Sequence, residues 1–223
     1  GDNPILVGTG YSVTSGSLIW GETIELDYFT DATKQSNIGL YSLKAKPKAS
    51  VKNYNISFIF GTYEIVKRNL TLKFDDITKT YGDVDLKGNE YEIISGSVEN
   101  NDNLNLVINY GTNDFYYGTY TVDLESYNNS NYNIATISGT LKIDKRKVSI
   151  KISSGNTTFG DEITVNENSY VITSGSFVFD DENLINLKIK TLASSLSDVG
   201  MYNVTCTYNE NVNYILDIEE GKY

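Results

Sequence analysis

The chain has 223 residues, with 29 acidic side chains against 18 basic ones and a net charge of −11. That balance repels a phosphate backbone and argues against nucleic acid as a partner. Histidine is absent and cysteine occurs once, which removes the usual general base, the commonest transition-metal ligand, the usual serine and cysteine triads and any internal disulfide.

Short landmarks recur in a fixed order. Ser15-Gly16-Ser17 returns as Ser95-Gly96-Ser97 and Ser174-Gly175-Ser176, 80 and then 79 residues on. The Gly-x-Tyr of Gly39-Tyr41 returns at Gly118-Tyr120 and Gly200-Tyr202, and Asn53-Tyr54 at Asn131-Tyr132 and Asn213-Tyr214. A common period shared by three landmarks predicts a tandem array. The expected units are 1–66, opening inside a repeat, 67–144, complete, and 145–223, with its last strand cut short. Each is large enough for a small core.

In chain order, the strands are expected where apolar and polar residues alternate. The second strand of each unit carries Tyr11 and Val13, then Tyr91 and Ile93, then Tyr170 and Ile172; the next carries Ile24, Leu26 and Tyr28, then Leu104, Leu106 and Ile108. In the third unit that strand starts later, at Leu187, which implies a small insertion around Asp180-Asp181-Glu182. The Gly-x-Tyr strands follow, then those led by Tyr54, Tyr132 and Tyr214, and a closing strand that runs into the opening strand of the next unit. Those opening strands read Leu70, Leu72, Phe74 and Val148, Ile150, Ile152. No stretch sustains a 3.6-residue period. The expected fold class is all-β: three Ig-like β-sandwich repeats in an elongated array, joined without a Pro/Gly/Ser linker.

The order Tyr81-Gly82-Asp83, Ser95-Gly96-Ser97, Gly118-Thr119-Tyr120, Asn131-Tyr132-Asn133-Ile134, Gly139-Thr140-Leu141-Lys142-Ile143 and Lys145-Arg146 resembles the MBG domain of YGX type. The third unit departs from it, with Phe159 in place of the tyrosine. The resemblance implies tandem β-rich modules of large, adhesin-like bacterial surface proteins, and it brings no catalytic residues with it.

Candidate sites divide into structural and functional readings. Gly82 and Gly160 are expected to supply an unusual backbone angle, with Asp83 and Asp161 bonding into the turn. Tyr41, Tyr120 and Tyr202 suit either a sugar-stacking platform or, as expected here, buried tyrosines with hydroxyls tied to backbone. Cys206 stands where Ala45 and Leu124 stand in the other units, so an inert thiol is expected rather than a nucleophile. Asp75-Asp76 and Asp180-Asp181-Glu182 offer oxygens suited to Ca²⁺, but solvated turns are the expected reading. Five Asn-x-Ser/Thr sites, at Asn55, Asn69, Asn128, Asn156 and Asn203, are no more than a chain this rich in Asn, Ser and Thr produces by chance. Trp20, with Phe179 near its counterpart position, is expected to pack, and to be a binding anchor if exposed.

The sequence thus leads to no catalytic, cofactor or metal residues. It leads to a monomeric, extracellular spacer whose partners are its neighbouring repeats, with no membrane contact by this segment. The second reading is a module that grips a host glycan or protein.

Overall fold

A computed structural model describes residues 1–6 and 10–223. In chain order the elements are β1 (Leu26–Thr30), β2 (Gly39–Pro47), β3 (Gly61–Ile65), β4 (Arg68–Phe74), β5 (Ile77–Thr80), β6 (Tyr91–Ser95), β7 (Val107–Asn109) and β8 (Gly118–Ser126). They continue with β9 (Tyr132–Ile137), β10 (Gly139–Asp144), β11 (Arg146–Ile152), β12 (Tyr170–Ser174), α1 (Asp181–Ile185), β13 (Lys188–Thr191), β14 (Asn203–Thr207), β15 (Tyr214–Glu219) and β16 (Gly221–Lys222). The protein is all-β apart from α1, and its strands form several small sheets.

Two compact units emerge. One holds Gly1–Lys73, Tyr91–Val107 and Glu125–Ile137; the other holds Phe74–Glu90, Ile108–Leu124 and Ser138–Tyr223. In the first, β1, β2 and β3 form an antiparallel meander, and a second sheet has the order β6-β4-β9. Its core gathers Leu70, Leu104 and Tyr132, with Val98, Leu106 and Ile134 packed against them. In the second unit the sheets run β5-β10-β8-β7, β12-β11-β15 and β13-β14-β16.

Alternation decides which strands are central. In β4 the side chains of Leu70, Leu72 and Phe74 are buried, and in β11 those of Val148, Ile150 and Ile152. Each of these strands is flanked by two partners that do not pair with each other. On one side, β4 runs parallel to β9 with Arg68 opposite Tyr132 and Leu70 opposite Ile134. Likewise β11 runs parallel to β15, with Arg146 opposite Tyr214 and Val148 opposite Leu216. The Ser-Gly-Ser turn leads away from the other side in both sheets. A Cβ on Gly96 would lie 2.3 Å from the Asn69 carbonyl oxygen, and one on Gly175 2.2 Å from that of Lys147. Both glycines also have positive φ, at +82° and +77°, so only glycine fits.

The expected strands at Tyr11–Val13 and Tyr54–Phe58 do not form. Their counterparts β6 and β9 each need β4 between them, and no described segment before Lys67 plays that part. Leu104 is buried as expected, but from irregular chain; only Val107–Asn109 is a strand there. The insertion at Asp180 to Glu182 proves to be the single turn of α1, ended by Asn186 at φ 51°. One turn is too short to leave a helical period in a sequence.

Candidate functional site

Three acids stand at one spacing. Glu22, Asp102 and Asp181 each follow the first serine of a Ser-Gly-Ser landmark by seven residues, and each accepts a hydrogen bond from the tyrosine of an Asn-Tyr landmark. Tyr54 donates to Glu22 at 2.5 Å, Tyr132 to Asp102 at 3.0 Å and Tyr214 to Asp181 at 2.8 Å. Each hydroxyl also receives a backbone N–H, from Ile19, Glu99 and Val178 respectively, at 3.0, 2.9 and 3.0 Å. The third pair differs in depth. Asp181 is only 6% exposed, whereas Glu22 is exposed and Asp102 half-buried.

What buries Asp181 is Tyr81, itself 4% exposed. The Tyr81 hydroxyl donates to Asp181 Oδ2 at 3.0 Å, the oxygen that Tyr214 also uses, and Asn211 donates to Oδ1 at 3.4 Å. The ring of Tyr81 lies edge-on to Tyr214 and Phe179, with centroids 5.6 and 5.8 Å away, and tilted against Tyr116 at 6.1 Å. Such edge-to-face arrays add to the burial of the rings themselves. Behind it, Arg146 donates from Nε to the Tyr81 carbonyl at 2.7 Å and pairs through Nη2 with Asp83. Gly82 turns the chain at φ +83°, and a Cβ there would lie 2.6 Å from a Val178 methyl. A buried carboxylate is costly unless paired and hydrogen-bonded, and here three donors supply the compensation. Burial first, then the bond to Asp181, pushes the Tyr81 hydroxyl up to about 12. Tyr214 is raised by burial too, and the Val178 N–H offsets part of the rise.

The first unit carries a related but more open arrangement. A cleft of about 440 Å³ is lined by Gly1, Asp2, Asn37, Glu99, Asp102 and Tyr132 among others. Arg68 donates through Nη2 to Asp2 at 2.8 Å and lies 3.6 Å from Glu99. Asn131 accepts from the Ile38 N–H at 3.0 Å, as Asn213 accepts from the Tyr117 N–H at 2.8 Å.

Other positions singled out from the sequence fall as follows. Tyr41, Tyr120 and Tyr202 are half-buried, and each hydroxyl donates to a backbone carbonyl four residues earlier, at 2.8, 3.0 and 2.9 Å. Gly82 and Gly160 both have positive φ. Asp83 and Asp161 bond into their turns through their backbone N–H groups, which donate to the carbonyls of Thr80 and Thr158 at 2.9 and 3.0 Å, and the Asp83 carboxylate also pairs with Arg146. Cys206 is partly buried, and that burial raises its thiol pKa. Asp76 accepts from both the N–H and the hydroxyl of Thr140. Asp181, expected in a solvated turn, is the buried acceptor described above. Trp20, expected to pack, is 91% exposed on a residue with φ 54°. Asn100 and Phe179, at the corresponding places, share that left-handed backbone with φ of 53° and 56°.

Residues 70–142 match the family model of the MBG domain (YGX type). MBG domains are β-rich modules of surface proteins and form a structural repeat family not known as catalytic. The MBG match begins within β4 and ends within β10. It takes in Tyr81, Gly82, Asp83, Asp102 and Tyr132, so both halves of the arrangement, the inserted tyrosine and an acid–tyrosine pair, lie inside the matched residues. No curated protein matches the chain. Among the described residues, no helix is long and apolar enough to cross a membrane.

Proposed function

We propose that the chain is a run of three Ig-like β-sandwich repeats, 1–66, 67–144 and 145–223, serving as a non-catalytic spacer in an extracellular, adhesin-like surface protein. The observation that carries this reading is the bond from Tyr81 to Asp181, made across 100 residues of chain in a buried setting. On this reading Tyr81 belongs to the second repeat and Asp181 to the third. A tyrosine keyed into the next repeat, with no spacer between Asp144 and Arg146, leaves little freedom at the joint. The MBG match over residues 70–142 supports the same role. The partners of each repeat are then its neighbours, and the acidic surface keeps separate chains apart as monomers.

Small-angle X-ray scattering of the chain, with calcium and then with chelator, tests the reading. Three repeats in line reach on the order of 100 Å at about 3.3 Å per strand residue, and that length should survive chelation. A compact particle would overturn it.

The second reading, a module that grips a glycan or protein, is favoured by Trp20. Its indole is 91% exposed on a residue with φ 54°, so the ring is open to a partner, and tryptophan is enriched among binding anchors. Trp20→Ala should abolish retention on a host glycan or protein surface if this is the role.

A further inference from the structure

In the second unit, β11 and β15 run parallel in one register, from Arg146 opposite Tyr214 to Lys151 opposite Glu219. The ladder continues past its first pair, where the Arg146 N–H donates to the Asn213 carbonyl at 2.8 Å. Val148, Ile150 and Ile152 are buried on one face of β11, which closes that face of the ladder to water. On the other face Lys151 bonds Glu219 at 2.6 Å, and Lys147 lies 3.4 Å from Asp217. A second ladder of the same unit has the same sense. There β5 runs parallel to β10, from Ile77 opposite Leu141 to Thr80 opposite Asp144, and the Tyr81 N–H extends the pairing to the Asp144 carbonyl at 2.9 Å. Just ahead of it, Asp76 Oδ1 accepts the N–H and the hydroxyl of Thr140 at 3.0 and 2.7 Å.

In each ladder the chain arrives on one strand and leaves on the other, and both strands point the same way. Tension along the chain therefore draws β11 back from its Arg146 end and β15 forward from its Glu219 end. Parallel strands drawn lengthwise past each other strain all their evenly spaced bonds together, whereas strands parted from one end lose those bonds singly. We propose that the two parallel ladders are clamps against stretching: a pull passes from β5 to β10 and from β11 to β15 and bypasses the chain between them. The stretch bypassed after β11 holds α1, β12, β13 and β14, and with them Asp181, so the bond from Tyr81 ends on a residue outside the covalent line of pull. The clamps rest on the spacer reading for their use, but their strength is a property of the ladders alone.

The test pulls the β11–β15 ladder along two axes in single-molecule force measurements. Both chains carry Cys206→Ala, the residue found at the matching position Ala45, and Lys145→Cys as one point of attachment. The other attachment is Glu220→Cys in one chain and Ile215→Cys in the second, both at exposed positions. The first chain loads the two strands lengthwise, and the second parts them from the Arg146 end. In either chain, release of the enclosed stretch should add on the order of 200 Å, at about 3.3–3.6 Å per extended residue, which also shows that the variant was folded. Lengthwise release should need about twofold or more the force, because six paired positions give way together rather than in turn. Equal forces along the two axes, or a lower force lengthwise, overturn the proposal. Scattering decides the spacer reading separately, since a compact particle would remove the use of the clamps without changing the ratio of the two forces.

Discussion

The hydroxyl of Tyr81 and the carboxylate of Asp181 lie 3.0 Å apart although 100 residues of chain separate them. Both side chains are almost fully buried, so the bond forms where water cannot substitute for either partner. Losing one partner therefore costs more than a surface hydrogen bond would.

Tyr81→Phe keeps the ring among Tyr116, Phe179 and Tyr214 and removes only the donor. It should cost about 1.5–3 kcal/mol, the range for a hydrogen bond to a charged group. Tyr81→Ala loses the ring as well and should cost about 3–5 kcal/mol. Urea unfolding of the two variants separates the contributions, and equal losses would mean that the hydroxyl matters little.

Gly82 and Gly160 offer a matched comparison. Both have positive φ, at +83° and +95°, but a Cβ at Gly82 meets Val178 and one at Gly160 meets nothing within 4 Å. Gly160→Ala should therefore cost only the backbone penalty, about 1–2 kcal/mol. Gly82→Ala should cost about 1–3 kcal/mol more through overpacking. Val178→Ala in the Gly82→Ala background should recover only that second part, as read by denaturant midpoints.

High pH should weaken the second unit in a defined window. The folded-state pKa of Tyr81 rises from 10 to about 12 because burial and Asp181 disfavour the phenolate. A raised value contributes stability that is fully present below pH 10 and is lost as pH climbs to about 12. Ultraviolet titration should show tyrosines that ionise only in that range, and Tyr81→Phe should remove part of the late step. Ionisation of every tyrosine near pH 10 would contradict the buried pairing.

Trp20→Ala should leave thermal stability unchanged to within about 0.5 kcal/mol, because the side chain makes few contacts in the folded chain. A larger loss by calorimetry would mean that the indole packs in solution.

Much of the frame was legible because it follows from period alone. Leu70, Leu72 and Phe74, then Val148, Ile150 and Ile152, mark the two central strands by strict alternation, and both sets are buried. The hydroxyls of Tyr41, Tyr120 and Tyr202 bond locally, four residues back, so their repeat position was enough to foresee the tie. Asp181 was harder. Its neighbours Asp180 and Glu182 gave it the look of a solvated acidic turn, and its burial depends on Tyr81, which is distant in sequence. A signal did exist in the seven-residue spacing from serine to acid at Glu22, Asp102 and Asp181. It is hidden by a change from Glu to Asp and by the flanking charges. The strands expected at Tyr11 and Tyr54 failed for another reason: alternation shows that a segment suits a sheet, but it does not supply the middle strand that segment must join.

The parallel pairing of β11 with β15 has a kinetic consequence. Lys151 faces Glu219 across that ladder, 68 residues away along the chain. The loop between them must close before any of those bonds forms, and such non-local pairing slows folding far more than it affects final stability. On the ribosome, the apolar strand Val148 to Ile152 waits with one edge bare until Tyr214–Glu219 has been made. A chain stalled before Tyr214 would keep that edge available to another copy, so premature termination here should produce aggregation rather than a smaller folded protein.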